Sequence, residues 1–225
     1  MRKLILLLLL FSAFTAVAET QFTVEFMEKH ITQIGKDHEG CIALGWSKSG
    51  DIVFATIVEP DEPVGGFHVD VIVFNTVHDF QVVSFRVKSP TQELLDIQNT
   101  KKAVDYLNKN KFTPDYQVLR KFPLAYNNDS YSIGVFTLRE SIKQKRNLKL
   151  HAEKSGAFKP LDVSAGADRV VGFFKSPFEN RIAICWYVPP MGGPAESNMG
   201  GGYYALSGCH MDTGFEKPDE DKNVN

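Results

Sequence analysis

The chain has 225 residues, with 25 basic against 27 acidic side chains and a formal net charge of −2. That slightly acidic balance excludes a nucleic-acid binder, whose affinity depends on excess Lys and Arg displacing counterions, and gives no reason to dock on an anionic membrane. A chain of this length buries one sizeable core or two small ones.

The first predicted element is a leader. Arg2 and Lys3 precede an apolar run from Leu4 to Phe11, and small residues follow to Ala16-Val17-Ala18. This pattern predicts a secretory signal peptide over 1–18, with cleavage after Ala18. The apolar run is about half of the roughly 20 residues a transmembrane helix needs, so no membrane span is expected. Loss of Arg2 and Lys3 would take the net charge to −4. The mature chain is thus expected to be periplasmic or secreted.

Phe22, Phe26, Met27, His30, Ile31 and Ile34 share one helical face, while Phe22, Val24 and Phe26 also fit a short alternating strand. The length of the run and its end at Gly35 favour the helix, with His30 at the edge of the core. A β-hairpin follows. Ile42, Leu44 and Trp46 lie on one side of its first strand, and Lys48-Ser49-Gly50-Asp51 make the turn. The return strand, Ile52 to Val58, is almost wholly apolar, which predicts cover on both faces. Further strands are expected over Val69 to Thr76 and Phe80 to Val87.

Four short strands in succession resemble one blade of a β-propeller, and Gly45-Trp46-Ser47-Lys48-Ser49-Gly50-Asp51 is similar to the strand–turn–strand step of periplasmic propeller repeats. The stretch Leu44 to Asp79 also resembles an uncharacterised family of predicted secreted bacterial proteins. That resemblance implies export and no particular activity.

Ser89-Pro90-Thr91-Gln92 reads as a capped helix start. Leu94, Ile97, Val104 and Leu107, with Ala103 beside them, form an apolar stripe that should cover a sheet, and the helix should end by Asn108 to Asn110. Strands are expected over Tyr116 to Ala125, broken by Pro123, then Tyr131 to Arg139 and Asn147 to Glu153 around a basic, solvated tip.

Next comes an echo of the first hairpin. Gly172-Phe173-Phe174-Lys175-Ser176 repeats Gly45-Trp46-Ser47-Lys48-Ser49, and Ile182 to Val188 is again apolar. Each copy then reaches a proline, Pro60 or Pro190, and a glycine pair, Gly65-Gly66 or Gly192-Gly193. Tyr203 to Met211 reads as a returning strand, and 216–225 as a disordered tail. The expected fold is therefore mainly β. Antiparallel sheets in two similar halves should fill 19–215 as one domain, propeller-like or a two-layer sandwich, with one covering helix.

Candidate chemistry is sparse. In His68-Val69-Asp70 and His210-Met211-Asp212, an imidazole and a carboxylate two residues apart face the same way on a strand. If the two halves met face to face, these pairs would form a His₂Asp₂ site for a divalent metal such as zinc. Of the three cysteines, Cys185 and Cys209 flank the second glycine-rich loop and are the expected disulfide, the alternative being three buried thiols. Gly45-Trp46-Ser47 lacks the second glycine of a nucleophile elbow, and the neighbours Cys209 and His210 point to opposite faces of a strand. Neither a His-Glu-x-x-His helix nor a Walker loop occurs.

Trp46, Trp186, Tyr203 and Tyr204 lie at or beside the repeats and are the candidate ligand-contacting aromatics, the alternative being that they form the core of a β domain. These observations favour an exported, non-catalytic protein, needing no cofactor, that binds an envelope partner or a small ligand. The alternative is a secreted hydrolase with a carboxylate or metal centre near the glycine-rich loop.

Overall fold

The computed structural model describes residues 21–34, 40–58, 67–89, 94–137, 146–161, 167, 169–189 and 202–217. The expected leader, both glycine pairs, the Pro90-Thr91-Gln92 part of the helix start, the basic tip over 138–145 and the tail from 218 onward lie outside these residues.

Among the described residues, two helices, α1 (Val24–Ile31) and α2 (Ile97–Lys109), accompany twelve strands. The first four are β1 (Cys41–Trp46), β2 (Asp51–Val58), β3 (His68–Asn75) and β4 (Phe80–Lys88). They form a meander that β5 (Thr113–Val118) extends, in the order β4-β3-β2-β1-β5. A second sheet runs β6 (Leu124–Tyr126), β7 (Asp129–Thr137), β8 (Arg146–Ala152) and β9 (Phe158–Leu161) in sequence. A third runs β10 (Arg169–Lys175), β11 (Arg181–Val188) and β12 (Tyr203–His210). Every pairing within the sheets is antiparallel.

The side-chain alternation of the strands shows how the sheets stack. Val53 and Ala55 of β2, with Val69, Val71 and Val73 of β3, turn toward α1 and α2. Ile52, Phe54 and Phe74, on the opposite face, meet Ala183, Cys185 and Leu206 of the three-stranded sheet. That sheet's other face, carrying Ile182, Ile184 and Trp186, packs on Leu148 and Leu150 of the four-stranded sheet. The described residues thus form four layers, helices on sheet on sheet on sheet. Strands β1 and β2 of one repeat and β10 and β11 of the other lie between two cores each, which is why their sequences are apolar almost throughout.

The two repeat motifs share one device. The register of β1 against its neighbours slips between Ala43 and Gly45, and that of β10 slips between Val170 and Gly172. Each slip is a β-bulge, and an extra residue inverts the alternation beyond it. Ala43 and Trp46 therefore face the same core although three residues apart, as do Val171 and Phe174. A Cβ on Gly45 would run into the carbonyl oxygen of Thr113, and one on Gly172 into that of Arg120. One segment crosses both glycines. It pairs with β1 as β5 and then bridges Phe173 of β10 through Arg120, with hydrogen bonds of 3.0 and 2.9 Å. Between them, the Gln117 side chain donates to the Lys175 carbonyl at 2.7 Å and accepts from its N–H at 3.0 Å.

Several expectations are corrected. Two helices cover the sheet, not one. Helix α2 is capped by Asp96, whose carboxylate accepts from the Asn99 N–H at 3.0 Å. Leu94 and Ile97 are exposed, and the buried stripe is Thr100, Ala103, Val104 and Leu107. The segment expected as one strand over Tyr116 to Ala125 is two, β5 and β6, in different sheets. Strand β9 had no clear sequence signal. The expected tail does not begin at Glu216, whose backbone exchanges bonds of 2.9 and 2.7 Å with Phe158.

Candidate functional site

Trp46 and Trp186, read from the sequence as ligand contacts, are core residues at 0% and 1% exposure. The Trp186 indole donates to Ser207 Oγ at 3.1 Å. The Trp46 indole N–H has no partner among the described residues, so that ring is held by its apolar bulk. Both are corrected from site to scaffold.

The two His-x-Asp pairs stand apart. Strand β12 spans about 23 Å at its usual rise per residue. Tyr203, at its start, shares a cleft with Val58 and Asp70, which places His68 near that end and His210 at the other. His68 and Asp70 do share a face of β3, and Arg86 joins them. Its Nε donates to Asp70 Oδ1 at 3.1 Å, and its Nη2 lies 3.1 Å from His68 Nε2. At the far end, Tyr126 and Asn180 both donate to the Asp212 carboxylate. The Tyr126 bond is the main influence holding the Asp212 pKa below its ordinary value. His210 Nδ1 accepts from the Asp212 N–H at 3.3 Å. The convergent His₂Asp₂ arrangement is therefore corrected, and among the described residues no group of three or more His, Cys, Asp and Glu could hold a metal ion.

The expected Cys185–Cys209 disulfide is corrected as well. Cys185 pairs in register with Leu206, and Cys209 with Ile182. Cys185 lies in the core between the five- and three-stranded sheets and Cys209 in the core on the other side of the strand layer. All three cysteines are free and buried. Burial pushes the Cys209 pKa up to about 11.

Of the sequence-predicted aromatics, Tyr203 and Tyr204 do border a cavity. The three-stranded sheet lies over β1 and β2 with β12 as its near edge, and the same face of β3 and β4 extends beyond it. The step between the two sheets is a cleft of about 260 Å³. Phe54, Ile72 and Phe74 form its apolar floor, and Tyr203 and Tyr204 stand on the β12 side. Asp70, Gln81 and Ser84 supply its polar rim. Successive residues of a strand face opposite ways. Tyr204 turns inward, its ring 5.3 Å from that of Tyr187, while Tyr203 is 38% exposed. Arg169 lies 5.1 Å over the other ring of that pair, a cation–π contact that helps fix the wall.

Sequence reasoning missed Ile72, Gln81 and Ser84. A usable signal was present, since β3 alternates an all-valine face (Val69, Val71, Val73) with a mixed one (His68, Asp70, Ile72, Phe74), and a mixed face is one a neighbouring layer covers only in part. A second, shallower hollow lies at the β6–β7 turn around Asn127 and Asn128. Both of these residues have positive φ, and the hollow is the outside of a tight turn.

No helix among the described residues is long and apolar enough to cross a membrane. Compared with known proteins, the chain matches no family model, no curated protein and no solved structure.

Proposed function

We propose that this is an exported, non-catalytic binding protein whose ligand occupies the cleft between β12 and the open face of β3 and β4. The observation that carries this reading is the composition of the cleft, an apolar floor with tyrosines on one side and hydrogen-bonding groups on its rim, the usual make-up of a small-ligand site. Asp70 is paired with Arg86 at 3.1 Å, so among the described residues the rim presents no unpaired charge. The ligand that fits is a small uncharged molecule with one apolar face and polar groups at its edge. A volume of about 260 Å³ lies just below the range of roughly 300–1,000 Å³ common for drug-sized ligands, which favours something of one or two rings.

The hydrolase alternative finds less support. Asp70 and Asp212 are each bonded to local partners and lie toward opposite ends of the sandwich, so the two carboxylates do not converge on one reaction centre.

The test is a titration with small neutral probes, monosaccharides and phenols among them, followed by backbone amide chemical shifts. Saturable shifts at Phe54, Ile72, Ser84 and Leu206, abolished by Ile72→Trp, which fills the floor, are expected. Saturable binding that maps to other residues, or that survives Ile72→Trp unchanged, contradicts the reading.

A further inference from the structure

We propose that Cys41 and Cys185 are a disulfide site, joining β1 of the five-stranded sheet to β11 of the three-stranded sheet through the core that they share. Both side chains are wholly buried in that core, and Cys185 is the neighbouring thiol that acts on Cys41. The alternation of the two strands brings them together. Cys41 and Ala43 turn inward from β1, and Ala183 and Cys185 turn inward from β11. Cys209 is on the opposite side of its sheet, so the choice of partner is unambiguous.

Burial, and then the neighbouring Cys185, pushes the Cys41 pKa well above its ordinary value. The thiolate is the form that attacks a disulfide, so in the closed fold the reduced pair is inert. The link must form while the sheets are still apart. A Cys41 or Cys185 thiolate attacks the disulfide of an oxidant, either a dithiol–disulfide exchange protein or oxidised glutathione, and releases one oxidant thiol. The second cysteine then attacks the mixed disulfide and releases the other. The pair loses two protons and two electrons, and the oxidant's disulfide gains them. Closure of the sheets afterwards removes the new S–S bond from solvent and from reductants.

In the cell the proposal rests on the export reading, because disulfides persist in oxidising compartments; the chemistry itself can be tested without it. The full chain is unfolded in reductant and refolded in a mixture of reduced and oxidised glutathione. It is then alkylated in denaturant, digested and mapped by mass. The expected product is lighter by two hydrogens before alkylation, with Cys41 and Cys185 in one linked peptide and only Cys209 alkylated. The Cys209→Ala variant should give the same link. Three alkylated cysteines in protein that has regained its native circular dichroism would overturn the proposal, as would a link that includes Cys209. Fractionation of cells tests the other reading. Exported protein with all three thiols reduced overturns the disulfide site. Cytosolic protein overturns export alone, and the refolding result then decides the linkage.

Discussion

Gly45 and Gly172 show how single residues hold the layers in register. At each, a backbone carbonyl of the segment over 113–120 fills the space a side chain would need. Alanine at either position forces backbone apart from backbone, and overpacking of that kind typically costs about 1–3 kcal/mol. Urea denaturation of Gly45→Ala and Gly172→Ala should show losses of that size, with Gly208→Ala at least as costly because its Cβ would meet the Thr76 carbonyl. A loss below 0.5 kcal/mol, the ordinary scatter of surface changes, would mean the crossing segment is not in contact. Asp129 is the residue with a clear pH signature. Partial desolvation raises its pKa, but bonds from the Lys154, Ser130 and Ser155 groups lower it more, to about 2 from an ordinary 3.8. A carboxylate whose folded pKa is depressed adds stability that is complete above the unfolded value and lost as pH falls through the folded one. In Asp129→Asn, the fall in stability between about pH 4 and pH 2 should be shallower than in the parent. An acid limb of identical steepness would contradict the assigned bonds.

Among the elements, α2 separates what the sequence could and could not tell. Its existence, its end near Asn110 and its cover of a sheet were legible from the stripe Ala103, Val104 and Leu107. Its start was not, because Ser89-Pro90-Thr91-Gln92 has the chemistry of a capping box while Asp96, tied to the Val87 carbonyl through its own N–H at 2.7 Å, supplies the cap. Leu94 and Ile97 fit the stripe by spacing alone. Leu107→Ala should destabilise by about 2–5 kcal/mol as a buried large-to-small change, and Asp96→Ala by about 1 kcal/mol as a lost N-cap. Leu94→Ala, at an exposed site, should stay within about 0.5 kcal/mol. Thermal and urea melts of the three variants check the order, and equal losses at Leu94 and Leu107 would reverse the assigned face. The repeated hairpins were legible for a different reason. Strands buried on both faces read as continuous apolar runs, and a glycine inside such a run marks a bulge. The bulge's consequence, that Trp46 changes face and joins the core, cannot be read from a strict period of two.

At the scale of the molecule, the sequence points to antiparallel sheets and to two related hairpins, but not to the order in which the layers stack. That order depends on long-range choices, such as Arg120 bridging to Phe173 across more than fifty residues, which no local pattern encodes. The candidate site was legible only in part for the same reason. Tyr203 and Tyr204 stood out as aromatic neighbours, whereas Ile72, Gln81 and Ser84 acquire meaning only once the three-stranded sheet leaves part of the β3–β4 face uncovered. The step between the sheets is the proposed ligand site. The most direct measurement is an amide-shift titration with neutral one- and two-ring probes, run in parallel on the parent chain and on Ile72→Trp. Saturable shifts along β2, β3 and the start of β12 are expected in the parent and none in the variant. Saturation with the same affinity in both, or shifts centred on the β6–β7 turn, would contradict it.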